Sequence, residues 1–240
     1  MAAMPYLDLP SGIRIRYVEG GPRDGRPLVL AHGFGVSRGM WFPQEWALSQ
    51  AHRLITWDAR GHGGSSAPED PLTYTMPALA EDLRGLLEGL DAVDGAIIGG
   101  MSFGGMIALQ YAVDHAGDMH ALILSDTSTR GDALESPARV SPADSPGMAG
   151  CRHAMRTRAD LTPALPGLDI PVLVIAGEWD DAVLAALPRL ANGLRRRRVE
   201  TLRECTHGTS AQRPDEWSAE VLRFLADVEA GHPLGEDEMR

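Results

Sequence analysis

Lysine is absent: every one of the 22 basic residues in this 240-residue chain is arginine. That removes a Walker A lysine, a Schiff-base lysine and a Tyr-Lys dehydrogenase pair from the chemistries open to it. Cysteine is scarce. Cys151 and Cys205 form neither a C-x-x-C pair nor a disulfide framework, and read as free thiols of a reducing compartment. No apolar run is long enough to span a bilayer, and the opening MAAMPYLDLPSG has neither a basic n-region nor an apolar h-region. Positive charge is outnumbered. The formal net charge of −11 repels phosphate backbones and anionic membrane surfaces, so neither nucleic acid nor membrane is an expected partner. The expected protein is soluble and cytoplasmic. Metal motifs are also missing: eight histidines are scattered without H-E-x-x-H, and Cys151-x-His153 is a single weak pair. No metal or cofactor is expected.

What is present is enough apolar sequence, 44% of positions, to build one sizeable core, and a single domain over residues 1–240 is expected. Short Val/Ile/Leu-rich runs recur at Leu28 to Ala31, Leu54 to Trp57, Ala96 to Gly99, Ala121 to Leu124 and Val172 to Ala176. Runs of that kind, without polar alternation, are the mark of parallel strands buried on both faces. Arg198 to Leu202 adds a last strand, and Tyr6 to Leu9 with Ile13 to Val18 flank Pro10-Ser11-Gly12 as an antiparallel hairpin. Between the runs, Met76 to Leu90, Gly105 to His115, Ala182 to Leu194 and Pro214 to Ala230 carry apolar residues at helical spacing. Alternation of about eight strands with helices defines an α/β class. The exception is residues 130–168, rich in Gly, Pro, Ser and Ala with one basic helical segment around Cys151 to Arg158, read as an insertion between two strands. Residues 231–240 read as a mobile acidic tail.

The sharpest motif is Gly100-Met101-Ser102-Phe103-Gly104, placed between a strand and a helix. A serine hydroxyl stands clear of a sheet edge only where the chain reverses sharply, and the crowding there demands small residues two places to either side. By chance a chain of this composition carries roughly 0.16 such G-x-S-x-G matches, so the strand-to-helix setting is what gives the motif weight. His32-Gly33-Phe34-Gly35 follows the strand Leu28 to Ala31 and can aim the Phe34 N–H at the same point as the Phe103 N–H, which together make an oxyanion hole. The competing reading of Gly33-x-Gly35 as a dinucleotide fingerprint, with Asp58 on the ribose, lacks its third glycine because Arg38 stands there. Asp180 ends the strand Val172 to Ala176 and His207 lies in a loop after the last strand, so nucleophile, acid and base occur in the order Ser, Asp, His, each at the carboxyl end of a strand. Asp181 competes with Asp180, and Asp126 after the preceding strand is an alternative acid. The aromatics Phe34, Trp41 and Trp179 flank these motifs as candidate walls of a substrate pocket, with ordinary core the competing reading for Trp41 and for Phe42.

These landmarks, with Trp57-Asp58-Ala59-Arg60-Gly61-His62-Gly63-Gly64-Ser65, give a sequence that resembles the α/β-hydrolase superfamily along nearly its whole length, and within it the bacterial 3-oxoadipate enol-lactonase-like and small carboxylesterase branch. The resemblance implies an α/β-hydrolase fold and a serine hydrolase without cofactor, acting on a small-molecule ester or lactone through Ser102, His207 and Asp180. It also implies that the Asp58 to Ser65 loop, His62 included, is structural. Dehalogenases and epoxide hydrolases of the superfamily carry aspartate where Ser102 stands. The family's multi-helix cap is replaced here by the short Pro-rich interval 130–168, which implies a small lid. The same triad serves carbon-carbon bond hydrolysis and perhydrolysis, and a receptor that binds without turnover is a further alternative.

Overall fold

The computed structural model describes residues 5–130 and 145–234. Eight strands form one sheet: β1 (Tyr6–Asp8), β2 (Arg14–Gly20), β3 (Pro27–Ala31), β4 (Arg53–Trp57), β5 (Ala96–Met101), β6 (Met119–Ser125), β7 (Val172–Gly177) and β8 (Arg197–Leu202), in the order β1-β2-β4-β3-β5-β6-β7-β8. β1 and β2 form the expected antiparallel hairpin, β2 runs antiparallel to β4, and from β4 to β8 the strands are parallel. The expected strands are all present, with shifts of one or two residues at most ends.

The register explains why the runs read as continuously apolar. Val29, Ile98, Leu122, Leu124, Val172 and Val174 point into one core layer, and their neighbours Leu28, Leu30, Ile97, Ile123, Leu173 and Ile175 point into the other. With both faces covered, period two carries no polar phase. The first layer is closed by α2 (Met76–Gly89), α3 (Phe103–His115) and α5 (Asp181–Gly193), the second by α1 (Phe42–Leu48) and α7 (Pro214–Glu229). Thr75 caps α2 by accepting from the Ala78 N–H at 3.2 Å, and Pro77 sits in the first turn, where its missing N–H costs nothing.

Two helices were not expected: α1, and α6 (Thr209–Gln212), which is a single turn. The periodic signal of α1 is broken by Phe42 and Trp46, 60% and 77% exposed, on a helix only seven residues long. Its buried residues are Leu48 and the polar Gln44, whose Nε2 donates to the Ser210 carbonyl at 2.6 Å. Within the expected insertion, α4 (Pro146–Thr157) and a 3-10 turn at Thr162–Gly167 are described; residues 131–144 of the insertion and 235–240 of the expected tail lie outside the described residues.

β4 and β5 lie on opposite sides of β3, so the chain reverses its direction of winding there and opens a crevice at the carboxyl ends of β3 and β5. Ser102 follows β5, and the Gly33-Phe34-Gly35 loop follows β3. The fold thus brings the two motifs to one point before any side chain is considered.

Candidate active site

Ser102 occupies a sparsely populated conformation, φ 54° and ψ −111°, between β5 and α3. Strain of this kind costs on the order of 1–3 kcal/mol and persists only where the surroundings over-determine it. Here the Ser102 N–H donates to the Ser125 carbonyl at 2.8 Å, and the Ser102 carbonyl accepts from Met106 N–H and Thr127 Oγ1. The flanking glycines are required by space. A Cβ at Gly100 would lie 2.2 Å from the Gly104 carbonyl carbon, and one at Gly104 would lie 2.1 Å from the Ala31 oxygen. Gly104→Ala should therefore push α3 off β3 and lower stability by about 1–3 kcal/mol or more. Gly117→Ala, at a position with nothing within 4 Å, should stay within about 0.5 kcal/mol of the parent. Urea midpoints of the two variants check this, and equal midpoints would contradict it.

His207 Nε2 lies 2.9 Å from Ser102 Oγ, and His207 Nδ1 lies 2.7 Å from Asp180 Oδ2. The other Asp180 oxygen accepts from the Val183 N–H at 3.2 Å. Asp180 is thus the N-cap of α5 and the hydrogen-bond partner of His207 at once. Asp181 is the first residue of α5 and exposed. The hydrogen bond to Asp180 raises the His207 pKa above the ordinary imidazole value. Burial works against the Asp180 charge, but the hydrogen bonds from His207 and Val183 outweigh it and hold that carboxyl below its ordinary range.

Asp126 is drawn into the same region for another purpose. It is fully buried, and its Oδ2 accepts from the Thr209 N–H at 2.9 Å, Thr209 Oγ1 at 2.8 Å and the Gly208 N–H at 3.3 Å. It holds the backbone that follows His207, while Asp180 holds the ring. Burial pushes the Asp126 carboxyl above the ordinary aspartate range. On the outer side of the same loop, Gln212 accepts from the Thr206 N–H at 2.9 Å and donates to the His207 carbonyl at 3.3 Å. The Asp126 clamp is not visible in the sequence, because it joins positions 82 and 83 residues apart that only the fold brings near.

Across the crevice, the N–H groups on either side of Phe34 are engaged: Gly33 donates to Met40 Sδ at 3.3 Å and Gly35 to His62 Nε2 at 3.1 Å. This fixes the peptide that carries the Phe34 N–H. The Phe103 N–H belongs to the first residue of α3, where N–H groups have no intrahelical acceptor and the helix dipole is positive. The positive end of α3 therefore lies beside Ser102, the N-cap of that helix.

The candidate pocket aromatics divide. Phe34 is half-buried, edge-on to Phe103 with ring centroids 6.2 Å apart, and Trp179 is 58% exposed beside Asp180. Trp41 corrects the expectation. It is fully buried in the second core layer with its ring centroid 5.2 Å from that of Trp217, so it packs α7 and presents no surface to a substrate. Among the described residues, no group of three or more His, Cys, Asp or Glu side chains is placed to hold a metal, and no helix is long and apolar enough to cross a membrane.

An eight-stranded sheet with a strained serine at its topological switch defines a class, and the family model described as the alpha/beta hydrolase fold matches residues 26–150. The chain belongs to the α/β-hydrolase family. It is 28% identical to 3-oxoadipate enol-lactonase 1 of Acinetobacter baylyi over 67% of this chain and 73% of that protein. It is also 28% identical to a non-heme chloroperoxidase of Streptomyces lividans over 92% of this chain and 99% of that protein. The crystal structure of the enol-lactonase from Burkholderia xenovorans LB400 superposes with a TM-score of 0.81 at 28% identity, covering 92% of this chain and 100% of that one. These likenesses support hydrolase chemistry.

Proposed function

We propose that the protein is a serine hydrolase that cleaves an ester or lactone of a small molecule through an acyl-enzyme. The observation that carries this reading is the unbroken hydrogen-bonded line from Ser102 Oγ through both ring nitrogens of His207 to Asp180 Oδ2, at 2.9 and 2.7 Å. His207 Nε2 takes the hydroxyl proton as Ser102 attacks the carbonyl, and the Phe34 and Phe103 N–H groups receive the oxyanion. His207 then gives the proton to the leaving alkoxide; in a lactone that alkoxide stays tethered to the acyl group. Water attacks the acyl-enzyme along the reverse path. Asp180 keeps the proton of the resting imidazole on Nδ1, which leaves Nε2 as the acceptor. The described residues 145–168 of the insertion form a small cap in this reading. The helix α4 supports it: Arg152 lies over the Phe34 ring at 4.8 Å, and Met148 Cε lies 3.8 Å from where a Gly35 Cβ would stand.

Hydrolysis of short p-nitrophenyl esters beside a panel of lactones tests the reading, and acyl-chain preference reports pocket depth. Turnover of neither class would overturn it. The likeness to a chloroperoxidase favours adding hydrogen peroxide to the same assay: a peracid product would mean that peroxide replaces water as the acceptor of the acyl group.

The pH profile has a defined sign. The base must be neutral to accept a proton, and His207 is raised by its bond to Asp180, so kcat/KM should climb with pH to a half-maximum above about 6.5. The stability contribution of the pair runs the other way. The His207 part is present below about pH 6.5 and is lost as pH rises through its raised pKa; the Asp180 part is present above about pH 4 and is lost on acidification. The pair stabilises most between those values, on the acid side of best activity. A half-maximum below 6.5 would contradict the hydrogen-bonded arrangement.

A further inference from the structure

His62 lies outside the Ser102, His207 and Asp180 line, yet it touches both residues whose N–H groups face the oxyanion. It is buried, 4% exposed, in the loop after β4. Its ring centroid is 5.6 Å from Phe34, edge-on at 82°, and 5.4 Å from Phe103. Its Nε2 accepts the Gly35 N–H at 3.1 Å, one residue beyond Phe34. Gly35 has φ +78°, so the loop turns sharply there.

The base under His62 is rigid. Arg60 is paired in two places with the buried Asp82, at 2.5 and 2.6 Å. Asp58 accepts from the Arg38 N–H at 2.8 Å and the Gly64 N–H at 2.9 Å. From outside, α4 presses on the same turn: a Cβ at Gly61 would lie 2.8 Å from the Gly147 oxygen, and Cys151 Sγ sits 3.7 Å from His62 Nδ1. Burial, with the neighbouring His32, lowers the His62 pKa to about 4, so at neutral pH the ring is uncharged and one nitrogen is free to accept.

We propose that His62 is a positioning residue of the oxyanion hole: by accepting the Gly35 N–H and bracing the Phe34 and Phe103 rings, it aims the Phe34 N–H at the oxygen of the carbonyl group that Ser102 attacks. This rests on the Ser102 acyl-enzyme reading. His62 transfers no proton. Its Nε2 is occupied by Gly35, so its effect falls on the transition state through the loop and leaves ground-state binding largely untouched.

The test uses His62→Leu, which removes the acceptor, and His62→Gln, whose amide oxygen can replace it. Both are assayed on a short p-nitrophenyl ester and for inhibition by phenylboronic acid, which forms a tetrahedral adduct on the nucleophile. In His62→Leu, kcat should fall by about 10- to 100-fold with KM within about threefold, boronate affinity should fall in parallel, and His62→Gln should recover most of both. A merely structural residue would lower melting temperature without that split. His62→Leu turning over at the parental rate, or His62→Gln as slow as His62→Leu, overturns the proposal. If neither variant folds, nitrogen NMR of the unsubstituted protein decides: His62 should carry its proton on Nδ1 from pH 6 to 8, and a proton on Nε2 overturns it. Turnover that survives in Ser102→Ala would defeat the underlying reading; a dead Ser102→Ala beside a fully active His62→Leu would defeat this inference alone.

Discussion

Ser102→Ala should lower kcat on a p-nitrophenyl ester by about five to six orders of magnitude while leaving the circular dichroism spectrum and the melting transition unchanged. The size follows from what the substitution removes. Without the hydroxyl there is no acyl-enzyme, and His207 and the two N–H donors are left to assist direct attack by water, which gives only a residual rate. The fold should hold because the bonds that fix this residue are its own N–H to Ser125 and its carbonyl to Met106 and Thr127, all backbone groups of residue 102 that alanine retains. Alanine shares the strained φ of 54°, so the elbow costs about the same in both proteins. Activity above a few per cent of the parent would remove Ser102 from the role of nucleophile.

Asp180→Asn should be the next most damaging change, at about 10⁴-fold in kcat, and it separates two candidate acids. The amide oxygen of asparagine can go on capping α5 at the Val183 N–H, so the helix should remain in place. Its NH2 then faces His207 Nδ1, where a carboxylate stood at 2.7 Å, and drives the imidazole proton onto Nε2, the nitrogen needed to accept from Ser102. The acid limb of the pH profile should also move down, because the carboxylate that raises His207 is gone. Asp126→Asn should do far less. Its amide oxygen can still accept from the Gly208 and Thr209 N–H groups, so kcat should stay within about tenfold. The reverse ranking in kcat would make Asp126 the acid.

The parts legible in the sequence were those carried by a continuous local pattern. Strands buried on both faces announce themselves as apolar runs, and the elbow is written in adjacent residues because its steric demand at Gly100 and Gly104 is local. Asp180 was legible by its place after β7, where an aspartate also reads as a helix cap, and by chain order. Trp41 is read in the sequence both as pocket wall and as core, and the core reading holds. Nine residues from His32, it lies on the far face of the sheet against Trp217, and the sequence does not say to which face a short 3-10 turn sends its side chains. The partners of Asp126 and His62 were not legible for a different reason. Asp126 meets Thr209 across 83 positions and His62 meets Gly35 across 27, and neither pairing leaves a periodicity or a spacing to read.

The most direct test of the central claim is labelling with a fluorophosphonate, followed by mass spectrometry of the peptides. Only a serine whose proton is taken by a neighbouring base, beside donors that receive the phosphonyl oxygen, reacts rapidly with such a reagent. The predicted result is a single adduct on Ser102, formed within minutes near pH 8 and slowed as His207 becomes protonated. A protein that stays unlabelled, or carries its adduct on another residue, would contradict the account.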